Sequence, residues 1–497
     1  MARDVTILFG APGTGKTTHL IGVVRDALKR GISPEQIAYM SFSRKAARQA
    51  LDKALDPNGP LAEYKLTQDD FPWVRTLHSA AYRILDLGRH DVMTSAHFKE
   101  LGKAIGLVFT GTYDHRTEHI PIDLGGLGDR CLAIYARAKA RCWSLEDEWR
   151  YANEWDLPWA AVRGFSQHLE GYKRDRGVVD FSDMLDLAKE PLDIKLLIID
   201  EAQDLTPQQW AAARRFGVNA EQVYLAGDDD QAIYSFSGAT ATPLLSVRGK
   251  RVVLPRSWRL PRNIKSIADR IATNIKIREP KQFSAREADG FETWVREPDD
   301  VDLSTGTWLL LCRNRAQLKR LETIARRQNV VYHSQGQWSN QEDAVKAVVS
   351  YERIRKDKVI TEADALLIQS YLHHMKLPDG ADKFTEWNQI AWPFEGRPNW
   401  MEALELPGED REYIRGLRRR GESLVDPGRV TISTVHGAKG GEAENVLLLT
   451  DVSGRVAKGM LSSPDDEWRV VYVGVSRALE RLYLVQPSTR NFWSIAA

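Results

Sequence analysis

The chain has 497 residues, 43% hydrophobic and 28% charged, with a formal net charge of +1, the balance of a soluble globular protein with more than one core. Near-neutrality excludes a uniformly basic nucleic-acid binder, so any surface for a polyanion has to be local. Three cysteines without C-x-x-C spacing argue against zinc, iron–sulfur and disulfide frameworks, and with no charged leader and no apolar run of the ~20 residues a membrane span needs, the expectation is a cytoplasmic protein.

Val5–Phe9 is a short apolar run with β-branched residues, the pattern of one buried strand. Gly10-Ala-Pro-Gly-Thr-Gly-Lys16-Thr17 follows at once, and then a helical stretch to Lys29. This is G-x-x-x-x-G-K-[ST] in its strand–loop–helix setting. Gly10, Gly13, Thr14 and Gly15 form a loop whose backbone N–H groups can curl around phosphate oxygens, and the helix N-terminus adds a favourable dipole. Lys16 then holds the β- and γ-phosphates, Thr17 ligates Mg²⁺, and Thr18 lines the same nucleotide site; the cofactors implied are ATP and Mg²⁺.

Further along, Ala161–Arg176 reads as an amphipathic helix within a helical stretch. Leu196–Ile199 is fully apolar, a buried parallel strand, and ends in Asp200-Glu201-Ala-Gln203-Asp204. Carboxylates at a strand's C-terminal end stand where doubly wound sheets bind ligands. Asp200 suits the Mg²⁺ shell and Glu201 is placed to polarise a water, while Asp204 reads as the cap of a helix at Thr206–Arg215. Gln222–Ala226 is a third strand, leading into Gly227-Asp-Asp-Asp-Gln231-Ala-Ile-Tyr234-Ser-Phe236-Ser-Gly238. A polar loop with a glutamine and then exposed aromatics suits a sensor between phosphate and a second ligand. The basic clusters at Arg44-Lys45, Lys173-Arg174 with Arg176, and Arg418-Arg419-Arg420 read as solvated helix faces. Most of the fifteen tryptophans, many of which lie in Trp143–Trp159 and Trp387–Trp400 outside the motifs, read as core or interface anchors.

With these, Tyr39–Arg48, Thr76-Leu-His78-Ser79, Asp180-Phe-Ser-Asp183-Met-Leu185, Leu254-Pro-Arg-Ser-Trp258-Arg259, Thr307–Asn314, Val430–Glu442 and Val471–Ala478 resemble, in order, the conserved segments of the UvrD/Rep/PcrA family of superfamily-one helicases. The resemblance implies an α/β fold with two RecA-like P-loop motor domains, each a parallel sheet flanked by helices, and mainly helical accessory insertions. Motif spacing assigns 1–85 and 180–257 to the first motor domain, 86–179 to a helical insertion, 258–345 and 426–497 to the second motor domain, and 346–425 to a reduced second insertion. Helical periodicity from Gln341 to Leu377, with turns at Pro378-Asp-Gly380 and Pro427-Gly428, marks that insertion.

The resemblance also implies roles. Arg259 and Arg477 act as arginine fingers, which stabilise spread phosphoryl charge. Gln231 senses the γ-phosphate, Glu442 binds ribose and Trp258 stacks on the base. Phe42, Tyr234, Phe236 and Trp493 (or else Phe492) are base platforms, as non-specific strand binding requires. His78, Thr434 and His436 are candidates for contacts to the DNA backbone. The implied partners are single-stranded DNA and its junctions with duplex, with the protein working as a monomer.

Several positions depart from the family pattern. The family's adenine-reading glutamine lies N-terminal to the glycine loop, and here the loop begins at Gly10. Thr18 stands where an arginine often stacks on the base, Trp258 where tyrosine is usual, Ser237 where arginine often contacts DNA, and Gly441 where an apolar residue is usual. Weak discrimination between ATP and GTP is the expectation. The elements around Phe42 and Thr76 resemble UvrD's rather than RecD's, which implies 3′-to-5′ movement. The expected function is an ATP-dependent helicase or translocase on single-stranded DNA; a translocase that strips proteins from DNA with weak unwinding and an RNA-directed enzyme are the alternatives, while the intact Asp200-Glu201, Gln231 and paired arginines argue against a nucleotide-dependent loading factor.

Overall fold

The computed structural model describes residues 4–111, 125–152, 156–356, 358, 360–372 and 398–495. They pack as two compact units. The first comprises Met1–Arg259, Asn274–Arg286 and Asp465–Arg469; the second comprises Leu260–Thr273, Glu287–Pro464 and Val470–Ala497.

The first unit is built on a six-stranded sheet of β1 (Asp4–Phe9), β2 (Ile37–Ser41), β3 (Val74–Thr76), β4 (Leu196–Asp200), β5 (Gln222–Gly227) and β6 (Lys250–Val253), in the order β3-β2-β4-β5-β1-β6. All its pairs are parallel. β2 and β4 are buried along their whole length, because a parallel sheet is covered on both faces. Each fully buried leucine or isoleucine there contributes about 1.5–3 kcal/mol of transfer free energy. This order places the C-terminal ends of β1, β4 and β5 side by side, so the glycine loop, the Asp200-Glu201 pair and the Asp228–Gln231 loop leave the sheet together.

The second unit carries a seven-stranded sheet of β7 (Phe291–Val295), β8 (Trp308–Cys312), β9 (Tyr332–Ser334), β10 (Gln337–Trp338), β11 (Val430–Thr434), β12 (Ala443–Leu449) and β13 (Ala478–Val485). Its order is β10-β9-β11-β8-β12-β13-β7, parallel throughout except for the β9–β10 hairpin. Two RecA-like sheets flanked by helices are thus present, as the motifs imply.

The helical stretch after β3 has its own apolar core, including Phe98, Phe109, Leu132, Phe165 and Leu169. The helix expected at Ala161–Arg176 spans Trp159–Arg176. A second helical cluster gathers around Val348, Tyr351, Ile368, Trp400 and Ile414. The long periodicity from Gln341 resolves into Asp343–Arg355 and Glu362–Gln369. Its end, the turn at Pro378-Asp-Gly380 and Trp387 lie outside the described residues.

Four expectations are corrected. Lys173 does not lie on a solvated face: it is buried, with its ammonium 2.7 Å from Asp183 and 2.8 Å from Asp180. Asp204 is not a helix cap. It ends a 3₁₀ turn, and Thr206 caps the helix Pro207–Phe216 in a reciprocal pair with Gln209, a geometry that suits a hydroxyl followed three residues on by glutamine. Trp258 and Arg259 pack with the first unit rather than opening the second, because Trp258 N–H donates to Gly13 O at 2.9 Å and Ser257 Oγ to Pro12 O at 2.7 Å. Trp493 is 1% exposed and its N–H donates to Thr450 O at 3.0 Å, while the neighbouring Phe492 is the exposed ring. The C-terminal segment docks beside Asp451 and turns the indole inward, which removes Trp493 as a base platform in this conformation.

Candidate active site

In the first unit the glycine loop runs from β1 into the helix Lys16–Lys29. Gly13 and Gly15 have φ values of +72° and +82°, left-handed conformations in which only glycine is unstrained. At Gly13 a Cβ would also come within 2.2 Å of Arg259 Cβ. The loop is tied to the sheet by Gly10 N–H donating to Gly227 O at 3.1 Å. Lys16 folds over it, Nζ donating to Gly10 O at 2.9 Å, and Thr14 Oγ1 donates to Ala11 O at 2.9 Å.

Thr17 Oγ1 lies 3.2 Å from Asp200 Oδ2. A hydroxyl and a carboxylate oxygen from the helix start and the β4 end form the all-oxygen donor pair a hard divalent cation takes, with phosphate oxygens and water completing the shell. Magnesium therefore fits these residues. Tyr39, on β2, donates its hydroxyl to the same Oδ2 at 2.6 Å. Burial, and then the charge of Glu201, hold the Asp200 carboxyl above its ordinary value, and burial beside Asp200 pushes the Tyr39 phenol up.

Glu201 takes a left-handed φ of +55°, uncommon for a residue with a side chain and a marker of local constraint. The conformation is held by its N–H donating to Asp200 Oδ1 at 3.0 Å and by Gln203 Nε2 donating to its Oε2 at 2.6 Å. Gln203 is fully buried. Its Nε2 also donates to Asp204 Oδ2 at 3.0 Å, and its Oε1 accepts from the backbone N–H of Asp228 at 3.0 Å. One amide side chain therefore links the β4 carboxylates to the β5 loop. Gln231, expected as the sensor, donates from Nε2 to Asp228 Oδ2 at 2.7 Å.

Asp228, Asp229 and Asp230 are all fully buried, and Lys281 is buried among them, its Nζ 3.1, 2.6 and 2.9 Å from their carboxylates. Arg278 adds a two-pronged contact to Asp230 at 2.7 and 2.5 Å, and Arg469 donates to Asp229 O at 2.9 Å. Burial would raise Asp228, but Lys281 and then Lys16 outweigh it and hold the carboxyl below its ordinary value. Asp229 is raised by its burial. The three aspartates keep Lys281 protonated against its own burial. Tyr39, Gln203 and Lys281 are the residues that reading motifs missed. The one available signal was the aspartate triplet, since buried carboxylates require cations.

Trp258 is 65% exposed, with the Arg256 guanidinium 4.4 Å from its ring centroid; one face is covered by a cation, in the manner of a stacking platform. Thr18 is exposed, its hydroxyl accepting from Lys53 Nζ at 2.7 Å. The aromatic residues of the strand-binding expectation come together: Phe42 stacks on Tyr234 at 5.0 Å, and Tyr234 meets Phe236 edge-on at 5.8 Å. Phe42 is the buried end of this row and Phe236 is partly exposed. His78 is buried and stacks on Phe181 at 4.2 Å, so its ring is used in packing. Ser237 Oγ donates to Tyr234 O at 2.8 Å and closes the aromatic turn.

In the second unit Arg477 is buried, its guanidinium donating to Val473 O at 3.0 Å and Gly441 O at 3.3 Å. Glu442 is exposed, His436 and Thr434 are partly exposed, and Thr434 Oγ1 accepts from Gly437 N–H at 3.2 Å.

Comparison with known proteins gives the same reading. Residues 2–251 match the model of the UvrD/REP helicase N-terminal domain, and residues 416–489 that of the UvrD-like helicase C-terminal domain. The chain is 24% identical to the ATP-dependent DNA helicase UvrD2 of Mycobacterium bovis, across 98% of this chain and 77% of that protein. It is 22% identical to the putative ATP-dependent DNA helicase YjcD of Bacillus subtilis over the same shares. With the ATP-dependent DNA helicase PcrA of Leuconostoc citreum it shares 25% identity, over 75% of this chain and 51% of the relative. Half of the chain matched by one helicase model, and a glycine loop set beside an Asp-Glu pair at the ends of parallel strands, mean that this chain belongs to the UvrD/REP helicase family.

Proposed function

We propose that the protein is an ATP-driven motor on single-stranded DNA that moves 3′ to 5′ and separates strands at junctions with duplex. The observation that carries this is the linked set Lys16, Thr17, Asp200, Glu201, Gln203 and Gln231, gathered at the ends of three adjacent strands of one sheet. Lys16 and the loop N–H groups bind the phosphates of ATP. Thr17 and Asp200 would hold Mg²⁺, which when bound neutralises charge on the β- and γ-phosphate oxygens. Glu201, aimed by Gln203, orients the attacking water and accepts its proton. Gln231 reads the γ-phosphate, and because Gln203 bonds both Glu201 and the Asp228 backbone, the two loops are positioned as one piece. Arg259 and Arg477 supply the guanidinium charge that spread phosphoryl charge needs.

Trp258 stacks on the base and Glu442 binds ribose. Phe236 and Tyr234 present the platform for bases, with Thr434 and His436 contacting the strand's backbone. Two motor domains, the first of them carrying Trp258 and Arg259, and accessory insertions at 86–179 and 346–425 belong to this reading. Binding of strand and hydrolysis of ATP are then coupled by linkage.

The test is steady-state ATP hydrolysis with and without single strands, beside unwinding of 3′-tailed and 5′-tailed duplexes. Strand-stimulated hydrolysis with unwinding from the 3′ tail is expected. Hydrolysis that ignores DNA would refute the motor, unwinding from the 5′ tail would reverse the polarity, and stimulated hydrolysis without unwinding would make it a translocase.

A further inference from the structure

The helix Leu127–Arg141 ends in a way that exposes an aromatic pair. Cys142, at its C-terminus, has φ +58°, and the N–H groups of Cys142 and Trp143 return to Lys139 O and Ala138 O at 3.0 and 2.9 Å. This closure normally uses glycine and tucks the next side chain against the helix. Here a cysteine holds the left-handed conformation and Trp143 projects outward, 45% exposed. Tyr151, on the next helix Leu145–Ala152, is 60% exposed and meets Trp143 edge-on with ring centroids 5.3 Å apart.

Arg141 braces both rings, its guanidinium carbon 5.1 Å from the Trp143 centroid and 4.7 Å from that of Tyr151. It cannot swing away easily. Nη1 donates to Glu148 Oε2 at 2.5 Å, Glu148 is fully buried, and its other oxygen accepts from Arg137 Nε at 2.7 Å. The remaining prong, Nη2, donates to Ser235 O at 3.2 Å, between Tyr234 and Phe236. The contact is close: Gly238 has φ +92°, and a Cβ there would lie 3.1 Å from Ala140 Cβ and 3.3 Å from Arg141 Cγ. The exposed pair is therefore anchored directly to the loop that carries the base platform.

We propose that Trp143, Tyr151 and Arg141 form a second stacking station for single-stranded DNA, continuing the path of Phe236 onto the helical insertion. This rests on the reading of the Tyr234–Phe236 loop as strand-binding. Two exposed rings with a fixed guanidinium between them offer π faces and a cation to unstacked bases and their phosphates, the chemistry that non-specific strand binding uses. Continuity through the Arg141–Ser235 bond favours DNA over a protein occupant.

Fluorescence anisotropy with labelled oligothymidylates of about 6 and about 16 nucleotides, within the site sizes such grooves span, tests this on the full chain. Trp143→Ala and Tyr151→Ala should weaken the longer oligonucleotide roughly 5- to 150-fold, the range one base–aromatic stack carries. They should leave the shorter one little changed, and Trp143→Phe should restore most of the loss. A strand carrying 5-iodouracil should crosslink to the peptide holding Trp143. If Phe236→Ala weakens both lengths and the Trp143 and Tyr151 variants weaken neither, the second station is overturned and the loop reading stands. If none of the three variants weakens binding, the loop reading fails and takes the station with it. Crosslinks confined to other segments also overturn the proposal.

Discussion

Lys281→Met keeps the length of the side chain and removes the ammonium that bridges Asp228, Asp229 and Asp230 at 2.6 to 3.1 Å. Arg278 still pairs with Asp230, but Asp228 and Asp229 are left buried without their ammonium. Removing one member of a buried ion pair costs about 3–5 kcal/mol, because the remaining charge stays desolvated. At roughly 2–4 °C per kcal/mol for a unit of this size, the melting transition of the first unit should fall by on the order of 10 °C.

The sign of the pH dependence follows from the carboxylates. In the native protein Asp228 is held below its ordinary value, so its contribution is present above its unfolded pKa and is lost as pH falls through the folded one. Asp229 is raised, so it already costs stability as pH rises through its folded pKa. Without Lys281 both folded values move up, and the variant is penalised most at high pH and relieved as the carboxyls protonate. Calorimetry at about pH 5 and about pH 8 should therefore find the gap to wild type smaller at the lower pH. A gap that is equal at both, or that widens on acidification, would refute this account of the cluster. Since Asp228 also holds Gln231, kcat should fall more than the affinity for ATP in whatever fraction remains folded.

Glu201→Gln should retain ATP binding and lose about 10²- to 10⁴-fold in turnover, as removal of a general base does, whereas Lys16→Ala should lose binding or turnover outright; equilibrium nucleotide binding beside steady-state hydrolysis separates the two, and normal turnover in Glu201→Gln would identify another carboxylate as the base. Gly13→Ala must place a methyl 2.2 Å from Arg259 Cβ at a φ of +72°, so KM for ATP should rise and the melting point fall, while an unchanged KM would show that this loop conformation is not the one that binds nucleotide. With Thr18 engaged by Lys53 and Trp258 open to solvent, ATP and GTP should be hydrolysed with comparable kcat/KM, and Trp258→Ala should weaken both to a similar degree; a protein that uses ATP and leaves GTP inert would contradict the stacking account.

What could be read from the residues in order was whatever is encoded over a few neighbouring positions. The strand–glycine-loop–helix run at Val5–Lys29, the apolar strand before Asp200-Glu201 and the polar loop after β5 each combine a local periodicity with a local chemistry, so they were legible without coordinates. The fold class followed from the resemblance of these motifs, in their order along the chain, to the helicase family. Partners brought together only by sheet order were not legible. Tyr39 reaches Asp200 because β2 lies beside β4, and Gln203 reaches Asp228 because β4 lies beside β5. Lys281 meets the aspartate triplet from a segment that rejoins the first unit after the chain has contributed a helix to the second. Burial was decided in the same way. Lys173, read as a solvated base, and Trp493, read as an open platform, both point inward, because the carboxylates or the backbone that receive them come from elsewhere in the chain. Local pattern sets which elements form and which chemistry each carries; long-range packing sets which side chains are desolvated together, and charge, orientation and access follow from that.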